Sequence, residues 1–146
     1  KVDTSTLIIG IGNPLRSDDG VASYVCAYLN NNQVSSITLQ TTQQLQTEFI
    51  EEFLKYDRVL VIDASVTANE VKIERVQASG TAVASSHHMN LSLMAALSQQ
   101  VYGKELYLYS CAIPVISFKM GNELSAVAIG QAEKAITVIR EWLQEN

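Results

Sequence analysis

The stretch Leu7-Ile8-Ile9-Gly10-Ile11-Gly12-Asn13-Pro14-Leu15-Arg16-Ser17-Asp18-Asp19-Gly20-Val21 decides the fold. A short apolar run ends in Gly-x-Gly-Asn-Pro, and two adjacent carboxylates follow where an apolar-periodic segment begins. A buried strand that opens through glycines into a helix is the usual first unit of a doubly wound α/β domain. The crevice of such a domain lies at the carboxyl ends of its strands. A glycine-rich ending of this kind usually cradles an anion with backbone N–H groups. Here Asp18 and Asp19 occupy the helix start, where they repel a phosphate and attract a cation. The pattern argues against nucleotide binding and for metal recognition or acid–base chemistry.

Working outward, strand and helix patterns alternate along the whole chain, as in a mostly parallel sheet. Strands are expected at about Thr6–Gly12, Ser36–Gln40, Arg58–Asp63, Val71–Val76 and Leu106–Ala112. Helices are expected at about Asp19–Asn30, Thr47–Lys55, Asn90–Tyr102 and Ser125–Gln144. In the last helix Ala128, Ala132, Ala135, Ile136, Ile139, Trp142 and Leu143 recur at helical spacing, which makes a core-facing stripe. Thr47 suits an N-cap, and Gly103 stands where a C-terminal glycine belongs. Asn30-Asn31-Asn32-Gln33 reads as a polar turn, not a linker. The expected architecture is α/β: a single-domain three-layer sandwich over residues 1–146, with a mostly parallel twisted sheet of about five strands and helices on both faces.

Composition narrows the class. With 146 residues and 47% apolar content the chain can bury a real core. A net charge of −5 without any basic run excludes nucleic acid as an expected partner. The apolar runs are too short to span a bilayer, and no signal-peptide pattern opens the chain, so no membrane association is expected. The chain begins at Lys1, which points to native residues preceding it. Cys26 and Cys111 lie in apolar surroundings without metal-like spacing, as packing residues of a reduced cytoplasmic protein do.

Three polar positions gather at one edge of the expected sheet. Asp19 follows the first strand, Asp63 ends Val59-Leu60-Val61-Ile62-Asp63, and Ser85-Ser86-His87-His88 precedes the third helix. Two carboxylates with an imidazole make a metal site or a general acid–base set. Singly, each has a plainer role open to it: a helix-start acid, a loop cap, a solvated turn. Their shared placement at strand ends favours the joint reading. Other motifs are weaker. Gly10-x-Gly12 lacks the third dinucleotide glycine, no Walker lysine follows, and no G-x-S-x-G elbow supports Ser85 or Ser86 as a nucleophile. Tyr102, Tyr107 and Tyr109 are expected to pack along one strand and helix end, and Pro114 to end the last strand.

These residues match a known pattern nearly end to end. The chain resembles the nickel–iron hydrogenase maturation endopeptidases. The opening stretch looks like their G-x-G-N-x-L-x-x-D-[DE]-G-x-G signature, Val-Leu-Val-Ile-Asp-Ala like their second motif, and Ser-Ser-His-His-Met-Asn-Leu like their third. The resemblance implies that Asp19, Asp63 and His87 form the metal-binding and catalytic trio. His87 is preferred to His88 because it keeps the offset to Leu91. Ser17 stands where glycine is usual, and Ala22 where a second glycine often stands. Gln43-Gln44-Leu45 is similar to a His-Gln-Leu segment found in members that serve the NAD-linked type of hydrogenase, with Gln43 in the histidine position.

The implied function is removal of a C-terminal extension from a hydrogenase large-subunit precursor after nickel insertion. Nickel would be carried by the substrate, with no bound cofactor of the enzyme's own. Two carboxylates and a neutral imidazole can complete the coordination of a metal already held by substrate cysteines, so only loaded substrate is gripped. Either the acids orient a water or the metal polarises the carbonyl; the sequence does not separate these, although the family is often grouped with aspartic-type peptidases. The site is expected to be open and weak in the isolated protein, which is expected to be a monomer. Gln43, Gln44, Leu45 and Asn13 are expected to contact substrate. Two other classes stay open: a non-catalytic nickel-dependent metallochaperone module, and a peptidyl-tRNA-hydrolase-like hydrolase, which would need a basic face.

Overall fold

The computed structural model describes residues 4–32, 37–78, 86–116, 121 and 123–145, and the side chains of all of these except 86–90. Its elements are β1 (Thr6–Ile11), α1 (Val21–Asn31), β2 (Ile37–Thr42), α2 (Phe49–Phe53), β3 (Arg58–Ser65), β4 (Lys72–Arg75), α3 (Ser86–Tyr102), β5 (Leu108–Pro114) and α4 (Ala126–Gln144). A 3-10 turn over Ser17–Gly20 leads into α1. The sheet order is β2-β1-β3-β5-β4. All pairs are parallel except β4 with β5.

Alternation along the strands sends side chains to two separate cores. Ile8, Leu60, Ile62, Cys111 and Ile113 pack against α1 and α4. Leu7, Ile9, Ile11, Val59, Val61 and Leu108 pack against α2 and α3. The three-layer arrangement is the one the alternating pattern predicted. The α4 stripe is buried as expected, with Leu143 only partly so. Ser125 caps its start by accepting from the Ala128 N–H at 3.1 Å. Arg58 holds its other end: the guanidinium donates to the carbonyls of Trp142, Leu143 and Glu145 and lies 4.1 Å over the Trp142 ring. Gly103, at φ +64°, ends α3. Pro114 is the last residue of β5. Both cysteines are buried. Burial pushes the Cys26 thiol up to about 11 and the Cys111 thiol up to about 12.

Several boundaries differ from expectation. The first helix begins at Val21, because Ser17 at φ +51° and an Asp19 N–H to Arg16 carbonyl bond wind the two acids into a 3-10 turn. Only Val66–Val71 separates β3 from β4. A parallel crossover needs a dozen residues or more, so β4 returns antiparallel. Strand β5 is shifted two residues later than predicted, and β3 runs on to Ser65 because Ser65 pairs with Pro114. Asp63 is therefore inside its strand. Thr47 is not an N-cap: α2 starts at Phe49, and the Thr47 hydroxyl donates to Glu48 Oε1 at 3.2 Å. Helix α3 begins at Ser86, so His87 and His88 belong to its first turn instead of preceding it. The three tyrosines separate. Tyr109 meets Trp142 edge-on, Tyr102 donates to Glu51, and Tyr107 is exposed beneath the Arg75 guanidinium.

Candidate functional site

In this strand order β1 is followed by β2 on one side, and the chain then crosses to β3 on the other. The switch point, where open α/β sheets bind their ligands, is the crevice outside the ends of β1 and β3. Asp63 stands opposite Ile11, the last residue of β1. The next residue, Gly12, lies directly under Asp19. At φ +152° Gly12 is in a region side chains rarely adopt, and a Cβ there would sit 2.0 Å from the Asp19 carbonyl oxygen and 3.5 Å from its Cγ. Gly12 is thus required for the close approach, and it brings Asp19 to the strand end where Asp63 lies. The turn closes again at Gly20, where a Cβ would stand 2.9 Å from Pro14 Cα.

The two neighbouring acids divide their work, since successive residues of a 3-10 turn point about 120° apart. Asp18 is fully buried. Its Oδ2 accepts from the Ile116 N–H at 3.0 Å and the Ser125 hydroxyl at 2.9 Å, and its Oδ1 accepts from the Ser125 N–H at 2.8 Å. It ties the end of β5 and the start of α4 to the acidic turn. Asp19 is half-buried, and its Oδ2 accepts from the Asn13 N–H at 2.8 Å. Asp63 is also half-buried, with one carboxylate oxygen out of reach of solvent. By alternation it belongs to the sheet face that α2 and α3 cover.

Helix α3 leads through Gly103–Tyr107 into the start of β5 and so runs antiparallel to it. That direction carries its first turn, with the backbone of His87 and His88, toward the edge where β1, β3 and β5 end. The side chains of both histidines, and Ser85 entirely, lie outside the described residues. Among the described residues no three His, Cys, Asp or Glu side chains gather as a metal site. The structure thus places Asp19 and Asp63 at the same end of the adjacent strands β1 and β3 and leaves the imidazole of the expected trio outside its description.

The expected recognition segment divides as well. Gln43 and Gln44 are exposed just past β2, whereas Leu45 is 5% exposed and belongs to the core beside Ile11 and Leu91. Leu45 is anchored inward because the chain must turn from the sheet edge down onto α2; its side chain is not offered to a substrate. Asn13 spends its Oδ1 on the Leu15 N–H at 2.9 Å. The Ser17 and Ala22 substitutions have structural counterparts. Ser17 adopts the positive φ that a glycine would take freely. Ala22 packs against Gly10, where a Cβ would meet Ala22 Cβ at 3.2 Å and Cys26 Sγ at 3.0 Å. A separate surface cavity of about 410 Å³, lined by Glu70, Val71, Lys134 and Val138 among others, includes none of the acidic residues of the crevice. Sequence reading missed the Asp18 clamp. The adjacency of two acids on one tight turn was the available signal, because both cannot face the same ligand.

No family model matches the chain, and no curated protein matches it. Solved structures do. The chain is similar to the hydrogenase maturating endopeptidase HybD from E. coli, with a TM-score of 0.75 at 17% identity over 97% of this chain and 93% of that one. It is similar to the [NiFe] hydrogenase maturation protease HycI from Thermococcus kodakarensis KOD1, with a TM-score of 0.71 at 21% identity over 97% and 94%. A hydrogenase 2 maturation peptidase from the Thaumarchaeota archaeon SCGC_AB-539-E09 gives 0.70 at 16% identity over 97% and 99%. At these identities the likeness establishes a shared fold across nearly the full length of every chain. Among the described residues no helix is long and apolar enough to cross a membrane.

Proposed function

We propose that the chain is a hydrogenase maturation endopeptidase that removes the C-terminal extension from a nickel-loaded [NiFe]-hydrogenase large-subunit precursor. In this reading Asp19, Asp63 and His87 grip the nickel that the precursor carries. The observation that supports it most is the placement of Asp19 beside Gly12, just past the end of β1, and of Asp63 opposite Ile11 on the neighbouring strand, at the switch point of this fold. A phosphate-binding domain of similar topology presents backbone N–H groups there and not two acids.

The chemistry follows from the donor set. Two carboxylates and a neutral imidazole without a thiolate leave coordination positions open, which substrate cysteines fill. An unloaded precursor offers nothing for the acids to hold, so nickel insertion is tested by affinity. Asp63, fixed on a buried strand, is the group to orient a water against the scissile carbonyl. Gln43 and Gln44 present amide donors and acceptors suited to an extended peptide. The enzyme is read as a cytoplasmic monomer acting on an assembled precursor.

The test is the mass of a nickel-loaded precursor after incubation with the protein. Loss of a C-terminal peptide supports the reading, and Asp63→Asn should abolish that loss while keeping the fold. A nickel-dependent binding module with the same trio would retain the precursor at full mass, which would refute the peptidase reading.

A further inference from the structure

Three exposed aliphatic side chains follow the strand ends that form this edge of the sheet. Leu15, Val66 and Ile116 are 60%, 55% and 63% exposed. Each lies just past the C-terminal end of one of three adjacent strands, β1, β3 and β5. The other large exposed apolar residues among those described sit on helices or, for Tyr107, at the opposite edge of the sheet.

The backbone around each of the three is fixed by polar bonds, within its own turn or to a neighbouring segment. The Leu15 N–H donates to Asn13 Oδ1 at 2.9 Å, and its carbonyl accepts from the Gly121 N–H at 2.8 Å. Ser65 Oγ accepts from the Thr67 and Ala68 N–H groups at 3.2 and 3.0 Å, closing the turn that carries Val66. The Ile116 N–H is bonded to the buried Asp18 carboxylate. The Val115 N–H donates to the Ser65 carbonyl at 3.0 Å, which joins the second turn to the third. A loosely held leucine can fold back onto the protein. Aliphatic side chains pinned outward by a polar scaffold stay in water until a partner covers them, which is how preorganised contact residues behave.

We infer that Leu15, Val66 and Ile116 form an apolar rim that seats hydrophobic side chains of the protein substrate beside its scissile bond. The inference rests on the peptidase reading above and deepens it, since it makes the rim a determinant of which sequences are cut. The rim follows the same strand ends that carry Asp19 and Asp63, so a chain laid across those ends meets both the rim and the acids. A second copy of the chain is the poorer occupant. Three side chains offer a few hundred Å² at most, well below the roughly 800 Å² per partner of a stable interface.

The experiment compares the parent with the triple variant Leu15→Asn, Val66→Thr, Ile116→Thr. Binding and cleavage of a nickel-loaded precursor are measured together, with sedimentation of the protein alone. The substitutions are at exposed positions, so the variant should melt as the parent does. KM should rise at least about tenfold, in the range that lost hydrophobic contacts produce, with the saturated cleavage rate unchanged. A precursor whose apolar residues nearest the cut are replaced by serine should not distinguish the two proteins. Equal KM values for the natural precursor would overturn the rim while leaving the peptidase reading intact. A parent that binds the precursor without cutting it, with a variant that binds tenfold more weakly, would end the peptidase reading and overturn the inference as stated, leaving the rim a docking surface of a non-cleaving module. Failure of the parent to bind the precursor at all would overturn both. A dimeric parent made monomeric by the substitutions would show a self-association surface and overturn the inference.

Discussion

Asparagine in place of Asp18 keeps the shape of the side chain and removes its ability to accept at both ends. Among the described residues the carboxylate takes three hydrogen bonds: Ile116 N–H and Ser125 hydroxyl at Oδ2, Ser125 N–H at Oδ1. In Asp18→Asn one end becomes an NH₂ donor. With the amide at the Oδ1 position it faces the Ser125 N–H; at the Oδ2 position it faces the Ile116 N–H, while the Ser125 hydroxyl can turn and accept. Either way one backbone N–H at a fully buried site loses its partner, which costs about 1–3 kcal/mol. The bonds that survive are no longer charge-assisted, which costs on the order of 1 kcal/mol more. Asp18→Asn should therefore lose about 2–4 kcal/mol. Asp18→Ala should lose about 3–5 kcal/mol, because all the acceptors go while the Ser125 hydroxyl still caps Ala128. Equilibrium urea unfolding measures both directly. For a chain of this length, 1 kcal/mol corresponds to about 3 °C in melting temperature, so the asparagine variant should melt roughly 6–12 °C lower. Asp19→Asn, at a half-buried carboxylate, should lose less than about 1 kcal/mol and serves as the control. An Asp18→Asn protein within about 0.5 kcal/mol of the parent would refute the clamp, since such a cost is that of an ordinary surface change.

Arg58→Ala removes the bonds to three carbonyls at the end of α4 and the stacking on Trp142. It should cost about 2–3 kcal/mol in urea unfolding, and Arg58→Lys should recover less than half, because an ammonium cannot reproduce the planar fork. Ser17→Gly should stabilise the fold by about 0.5–1 kcal/mol, because serine there pays for a left-handed φ of +51° that glycine adopts freely; a loss of stability would show that the hydroxyl matters more than the strain. Burial raises the thiols from 9.0 to about 11 at Cys26 and about 12 at Cys111, so the unfolded chain releases these protons first. The stabilising contribution is full below pH 9 and is lost as pH rises through about 11 for Cys26 and about 12 for Cys111, with a slope of up to about 1.4 kcal/mol per pH unit for each thiol; Cys26→Ala should flatten that alkaline limb, and an unchanged limb would refute the assignment. Removing metal with a chelator should leave the melting temperature of the isolated protein unchanged, whereas unfolding on chelation would mean that the acids hold a structural ion.

Much of the fold was legible in the order of residues. The alternation of apolar strand runs with helix-period segments led to the three-layer sandwich, and the Ala128-to-Trp142 stripe located α4 and its buried face. These signals are local: a 2.0 or 3.6 period marks which side chains must leave water, and burial then follows in sequence order. Boundaries were less legible, because they depend on partners far along the chain. Strand β3 continues past Asp63 only because Pro114 on β5 lies beside Ser65, and β4 is antiparallel only because its connection is too short to cross over.

The site divides along the same line. Chain order alone put Asp19 after the first strand and Asp63 on the third, at strand ends that a parallel sheet opens on one side. It could not assign the two adjacent acids, nor tell the exposed Gln43 and Gln44 from the buried Leu45. Those distinctions depend on which way a tight turn points each side chain and on what lies opposite. Asp18 became a clamp because Ile116 and Ser125, separated from it by 98 and 107 residues, present N–H donors to a place no water reaches. Gly12 was required because the Asp19 carbonyl lies over it. Residue type and spacing determine which groups are available for chemistry. Only the packed chain decides which of them face the crevice, because direction and desolvation are properties of neighbours that the linear order does not hold together.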